Sequence, residues 1–187
     1  MENINITNKK PVKRNRNLLF QLAFAAGILL LVWLSFGQTV LAPRKGNGMP
    51  QKFVGLKLMD VVEGAGAMAQ IDRMHATGIE LVTATIGTYE LNNQKITVWA
   101  GIAADSIAAE QLLSRMVEAI SRGNPSFSNL RKISVTQGYH SHEIFLVDGP
   151  GGKHAFYISK LSRDKVVWLA VENGDTQAVI EGALDVF

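Results

Sequence analysis

The sequence predicts a single N-terminal transmembrane helix followed by an α+β domain, in which a mostly antiparallel sheet carries its helices on one face. Three observations predict this architecture. The segment Leu18–Ala42 contains no charged side chain. Beyond it, segments rich in β-branched and aromatic residues occur in pairs separated by short turns, as in hairpins. Two of these pairs end in similar segments, WAGIAADSIAAEQLL from Trp99 and WLAVENGDTQAVIEGAL from Trp168, and each leads from a strand into a helix.

The segment Leu18–Ala42 has the length and composition of a membrane span. Its most apolar part, Leu18–Gly37, is 20 residues long. A helix of that length covers roughly 30 Å, the thickness of the hydrocarbon core. Trp33 lies near the outer end, where aromatic rings favour the membrane interface. Because most flanking cations precede the span, we expect a cytoplasmic N-terminus and an extracytoplasmic domain.

A cleaved signal peptide is the alternative interpretation of this segment. Signal peptides have an apolar region of about 7–15 residues that ends in a small-residue cleavage site. The apolar run here is longer, and the nearest candidate site, Val40-Leu41-Ala42, is followed by Pro43. We therefore favour an uncleaved signal-anchor helix.

The chain divides into four predicted regions. Residues 1–17 form a basic cytoplasmic tail, and residues 18–42 form the signal-anchor helix. Residues 43–52 contain two Pro and two Gly without periodicity, which predicts a tether. Residues 53–187 form the extracytoplasmic domain.

The charge and cysteine content exclude several functions. The formal net charge is +3, but residues 1–16 carry five Lys and Arg against one Glu. From Phe53 onward, 11 Lys and Arg accompany 15 Asp and Glu, so the domain is mildly acidic. Nucleic-acid binding needs basic residues clustered on one face, and we predict no nucleic-acid partner. The absence of cysteine excludes disulfides, thiolate metal sites and cysteine nucleophiles.

The first half of the domain is predicted as strand, helix, hairpin and helix. Residues 53–62 form a short strand, and residues 64–76 form a helix with Met68, Ile71 and His75 on one face and Gly78 as its C-terminal cap. Residues 79–91 and 94–103 form a hairpin. Asp105 or Ser106 caps the next helix. Its apolar stripe consists of Ala109, Leu112, Leu113, Met116, Val117 and Ile120.

The second half is predicted as strands followed by a final helix. Residues 121–131 have the composition of a loop. Residues 132–149 form one long strand or a bent pair, with Gly138 as a candidate bulge. Residues 153–161 and 165–172 form another hairpin, and Asp175 or Thr176 caps the last helix.

The similar segments at Trp99 and Trp168 predict two ββα units that share one sheet. Each unit consists of strand, turn, strand and capped helix, which gives a ferredoxin-like arrangement. Duplication and coincidence both explain the similarity, because any two hairpin-plus-helix units share strand and cap signals.

His140 and His142 are the candidate metal ligands. Two residues apart in one strand, they project from the same face. His154 is the nearest third ligand. A turn at DGPGGK would place Val147 opposite His154, which leaves His154 about 16 Å from His142 at 3.3 Å per residue. In a single strand, the two histidines lie on the same face as Ser134, Thr136 and Gly138. Such a face is polar and solvated, so we favour surface histidines over a metal site.

The segment DGPGGKH is a candidate binding tip. Gly149, Gly151, Gly152 and Lys153 resemble a phosphate-binding loop in composition, but the P-loop leads from a strand into a helix and has Ser or Thr after the Lys. A hairpin turn is the favoured interpretation. Such a tip can still serve as a contact point.

No catalytic motif is present, and no cofactor is predicted. The sequence contains no G-x-S-x-G or H-E-x-x-H, and an enzyme would have to join His75 to residues distant in sequence. The layout is similar to that of bitopic scaffold subunits of bacterial envelope machines. The leading hypothesis is a non-enzymatic scaffold domain that binds a partner protein or self-associates. The alternative is a small-ligand or metal sensor that uses the His140–His154 region.

Overall fold

An antiparallel sheet forms the centre of the described part of the chain. The computed structural model describes residues 48–74 and 79–187, which lie within one unit, Lys45–Phe187. Over these residues the α+β prediction is confirmed. The strands are β1 (Lys52–Phe53), β2 (Leu56–Glu63), β3 (Thr83–Leu91), β4 (Gln94–Ile102), β5 (Ser128–Gln137), β6 (His140–Gly149), β7 (Gly152–Ile158) and β8 (Lys165–Glu172).

Three helices accompany the sheet in the described ranges. They are α1 (Ala65–Met74), α2 (Ser106–Ser121) and α3 (Thr176–Val186). None of them has the length and apolar character needed to span a membrane. The predicted signal-anchor helix at 18–42 and the basic tail lie outside the described residues, as do His75 and Gly78.

β4 and β8 pair at the middle of the sheet, whose strand order is β1-β2-β3-β4-β8-β7-β6-β5. The pairing is antiparallel, runs from Lys95↔Glu172 to Ile102↔Lys165 and places Trp99 directly opposite Trp168. The two predicted hairpins, β3–β4 and β7–β8, are both formed. The ladder between β4 and β8 therefore joins the two halves of the chain.

The two faces of the sheet are named here by their aromatic residues. Side chains alternate along a strand, so Trp99 and Trp168 point to one side, the tryptophan face. Tyr89 and Tyr157 point to the other side, the tyrosine face, and both are almost fully buried. β8 carries apolar side chains on both faces of the sheet, so both faces must be covered by other elements.

The helices cover both faces, and the predicted one-sided arrangement is wrong. Helix α3 packs on the tyrosine face against Val167 and Leu169. Helices α1 and α2 lie on the tryptophan face, where α2 packs against Val166 and α1 packs in a cluster with Trp99. The physical reason is the composition of β8, because a strand that is apolar on both sides is stable only between two layers.

The caps that the sequence predicts begin the two longer helices. Asp105 is the N-cap of α2 and accepts a hydrogen bond of 2.8 Å from the Ala108 amide. Asp175 is the N-cap of α3 and accepts from the Gln177 amide at 3.0 Å. Each carboxylate satisfies an amide that lacks a partner inside the helix.

The segment predicted as one long strand or a bent pair is a hairpin of β5 and β6. Gln137 pairs with His140 across a two-residue turn, and Gly138 has a φ of 60°. Gly138 is therefore the first turn residue, where a positive φ is required, and the predicted bulge is wrong. The parity argument that linked Ser134 to the histidines fails as well, because the chain reverses between them.

Part of the segment predicted as a tether packs into the core. Met49 is 4% exposed on the tyrosine face. A Cβ built on Gly87 would lie 2.9 Å from the Met49 sulfur, so the glycine allows the methionine to approach β3. The Tyr89 hydroxyl donates a weak hydrogen bond to this sulfur at 3.7 Å.

Candidate functional site

A cavity of about 170 Å³ lies on the tryptophan face, between the sheet and helices α1 and α2. Its walls are mainly apolar. Among the lining side chains are Ile71 and Met74 from α1, Leu112 and Met116 from α2, and Trp99 and Trp168 from the sheet. Three parts of the chain, far apart in sequence, therefore form one concave surface of the kind that binds small molecules.

Gly101 shapes the sheet side of this cavity. A Cβ built at Gly101 would lie 2.9 Å from Cδ1 of Leu81, which is closer than side-chain atoms can approach. The absence of a side chain thus lets Leu81 rest on β4. Both residues line the cavity.

Aromatic rings form one wall of the cavity. The rings of Phe156 and Trp168 stack with centroids 4.6 Å apart and an interplanar angle of 11°. Phe127 meets Trp168 edge-on at 5.5 Å and meets His154 edge-on at 5.4 Å. Such offset and edge-on contacts fix the orientation of each ring.

His154 is held as a neutral imidazole in this wall. It is 6% exposed, and the indole N–H of Trp168 donates to its Nδ1 at 2.9 Å. Its Nε2 lies 3.0 Å from the carbonyl oxygen of Pro150, to which it donates. Burial lowers the pKa of His154, although the Pro150 carbonyl and the Glu172 charge act in the opposite direction. With both nitrogens engaged, His154 has no lone pair for a metal or a substrate proton.

The three histidines of the predicted site do not meet. Val147 pairs with His154 as predicted, and this register places His142 on the tyrosine face, opposite to His154. His140 is exposed, but His142 is only 7% exposed, so its assignment to the surface is wrong. The described residues contain no group of three His, Cys, Asp or Glu that could hold a metal ion.

Within the described part of the chain, two buried polar atoms on the tyrosine face have no hydrogen-bond partner. They are Nδ1 of His142 and the hydroxyl of Tyr157. Burial lowers the pKa of His142, and the neighbouring Lys160 and His140 add to the effect. Burial also raises the pKa of Tyr157. Both side chains are therefore neutral at physiological pH.

The glycines of the predicted binding tip allow the β6–β7 hairpin to approach β8 closely. A Cβ built on Gly152 would lie 2.2 Å from the carbonyl oxygen of Val171. Lys153 forms an ion pair with Asp148. The pKa of Asp148 is lowered by hydrogen bonds from Asn129 and then from Lys153. The lysine is thus engaged within the hairpin itself.

The cavity was not predicted from the sequence, because its walls come from residues about 100 positions apart. The signal that could have found it is the repeated Trp, since Trp99 and Trp168 occupy equivalent strand positions before two capped helices. No protein-family model matches the chain, and no curated protein matches it either.

The buried neutral His154 predicts a loss of stability in mild acid. The unfolded chain takes up a proton near pH 6.5, whereas the folded protein, with its lowered pKa, does so only at lower pH. The free energy of unfolding should therefore fall as the pH drops below about 6.5, by at most about 1.4 kcal/mol per pH unit for each such group.

Urea unfolding at pH 7 and pH 5 measures this effect. H154Q keeps a donor and an acceptor but does not titrate, so its pH dependence should be weaker than that of the wild type. H140Q, which removes an exposed imidazole, is the matched control. An undiminished pH dependence in H154Q would contradict the assignment of a buried neutral imidazole.

Proposed function

We propose that this chain is a single-pass membrane protein of the bacterial cell envelope, whose extracytoplasmic domain binds a partner protein by strand addition at β5. The uncharged segment Leu18–Ala42 and the basic residues before it support the anchor and its orientation. The observation that carries the binding role is the open outer edge of β5.

The outer edge of β5 has the length that strand addition requires. Within residues 48–74 and 79–187, β5 pairs with β6 alone, so its other edge has no strand partner. The first part of the strand is irregular, because the register shifts between Ser128 and Arg131. From Arg131 to Gln137 the pairing is regular, which leaves seven residues as a template for an added strand.

The hairpin turn determines which backbone groups of β5 point outward. In a two-residue hairpin the residues that flank the turn form a hydrogen-bonded pair, and such pairs then alternate. Gln137 and His140 flank the turn, so Gln137, Val135 and Ile133 direct their backbone groups to β6. The N–H and C=O groups of Lys132, Ser134 and Thr136 consequently point away from β6, and no strand of the described residues pairs with them.

The charges on this edge indicate the chemistry of the partner. Arg131 and Lys132 are both exposed and project to opposite faces of the sheet. Lys132 forms an ion pair of 2.6 Å with Glu143 on β6. Cationic side chains on an edge oppose indiscriminate strand pairing. Because Lys132 is already paired with Glu143, we expect the partner strand to carry an acidic residue that faces Arg131.

The anchor predicts how the protein fractionates. The full chain should remain in the membrane pellet after extraction with alkaline carbonate, because roughly 20 apolar residues partition into the bilayer. Protease added to sealed spheroplasts should digest the C-terminal domain and spare a cytoplasmic tag at the N-terminus. Recovery of a soluble product about 40 residues shorter would contradict the anchor and support a cleaved signal peptide.

The β5 edge predicts a site-specific crosslink. A photo-crosslinking amino acid in place of Thr136 should capture a partner in intact cells. The further substitution S134P removes one outward N–H without affecting the bonds to β6 and should abolish the adduct. S134A is the matched control, because it loses the same side chain but keeps the N–H.

Two results would contradict the binding of a partner protein by strand addition at β5. The first is an undiminished adduct in an S134P variant that melts within a few degrees of S134A. The second is an adduct of twice the mass of the chain, which would assign the edge to self-association.

A further inference from the structure

We propose that the cavity on the tryptophan face is a binding site for a small, uncharged aromatic ligand with a single ring. The site goes beyond the proposed strand addition and is independent of it, because none of its described lining residues belongs to β5. Its volume, its polarity and its aromatic walls each support this class of ligand.

The volume limits the ligand to about one ring. The cavity measures about 170 Å³. An apolar cavity of about 150 Å³ in another protein admits benzene and stays dry without it. Substituted benzenes of similar size therefore fit inside the cavity, whereas a nucleotide, a flavin or a porphyrin exceeds this volume.

Most polar side-chain atoms of the wall are engaged within the protein. Both nitrogens of His154 and the indole N–H of Trp168 are engaged in protein hydrogen bonds. The side-chain oxygen of Asn124 accepts a bond of 2.9 Å from the Ser126 amide. Among the described residues that line the cavity, none carries a formal charge. A charged ligand would lose its hydration here without compensation.

The walls offer the contacts that an aromatic ring favours. Phe156 covers one face of Trp168, yet Trp168 and Phe127 remain only partly buried and line the cavity. A ligand ring can extend this offset and edge-on arrangement. Met74 and Met116 line the same space, and their sulfur atoms favour contact with ring edges. Aromatic contacts of this kind distinguish a ring from an alkyl chain of equal volume.

Among the described residues, the cavity has an opening beside exposed side chains. Met74 is 55% exposed and Ala119 is also exposed, although both line the cavity. The opening therefore lies between α1 and α2. The unbranched side chain of Met74 can adapt its rotamer as a ligand enters.

Fluorine NMR of fluorobenzene with the full-length protein in detergent tests the site. Wild-type protein should bind fluorobenzene saturably, and excess toluene should displace it. A119F places a ring in the opening and should weaken binding at least about tenfold. S114F, on the exposed surface of the same helix, is the matched control and should bind like the wild type.

A second variant and two further probes complete the test. M116F fills the cavity from inside and should also weaken binding, which keeps the test valid if A119F does not fold. Benzoate, the charged counterpart of toluene, should not displace fluorobenzene. Absence of saturable binding to the wild type, or equal binding by A119F and S114F, would overturn the proposal. Displacement by hexane as effective as that by toluene would overturn the aromatic class and indicate an alkyl or lipid chain.

Discussion

The antiparallel pairing of β4 with β8 is the constraint on which the rest of the structure depends. It joins two hairpins that are about 70 residues apart in the chain, and closing such a loop carries an entropic cost that the ladder must offset. The same pairing sets the register between the two halves of the sheet. The pairing places Trp99 opposite Trp168. It therefore also determines which side chains form the tryptophan face and which form the tyrosine face.

The two faces are covered in different ways, and this difference produces the cavity. On the tyrosine face, α3 packs with Met49 and the aromatic residues of β1 and β3 into one continuous cluster. On the tryptophan face, α1 and α2 belong to separate clusters. Two helices that approach one twisted sheet from different parts of the chain leave a space between them. Trp99, Trp168 and Phe127 border that space instead of filling it.

Local features of the structure were predictable from the sequence. The side of the sheet on which a helix or a side chain lies was not. The caps and the register Val147↔His154 follow from residues close together in the chain. The register was confirmed, and of the two cap candidates at each helix the structure has Asp105 and Asp175. The side of the sheet on which α3 lies depends on the direction in which the chain leaves β8. It also depends on which apolar face of the sheet α1 and α2 leave uncovered. Burial of His142 has the same origin, because Gly138 proved to be a turn that reverses the parity of the following strand.

The most direct test of this account is native-state hydrogen exchange of the full-length protein, with the amides of Val98 in β4 and Leu169 in β8 as reporters. Both strands are paired on two sides, so these amides should exchange only through global unfolding. Their opening free energies should then equal the free energy of unfolding from urea titration. Exchange at clearly lower free energy, with the amides of each hairpin opening as a separate group, would contradict the central role of the β4–β8 ladder.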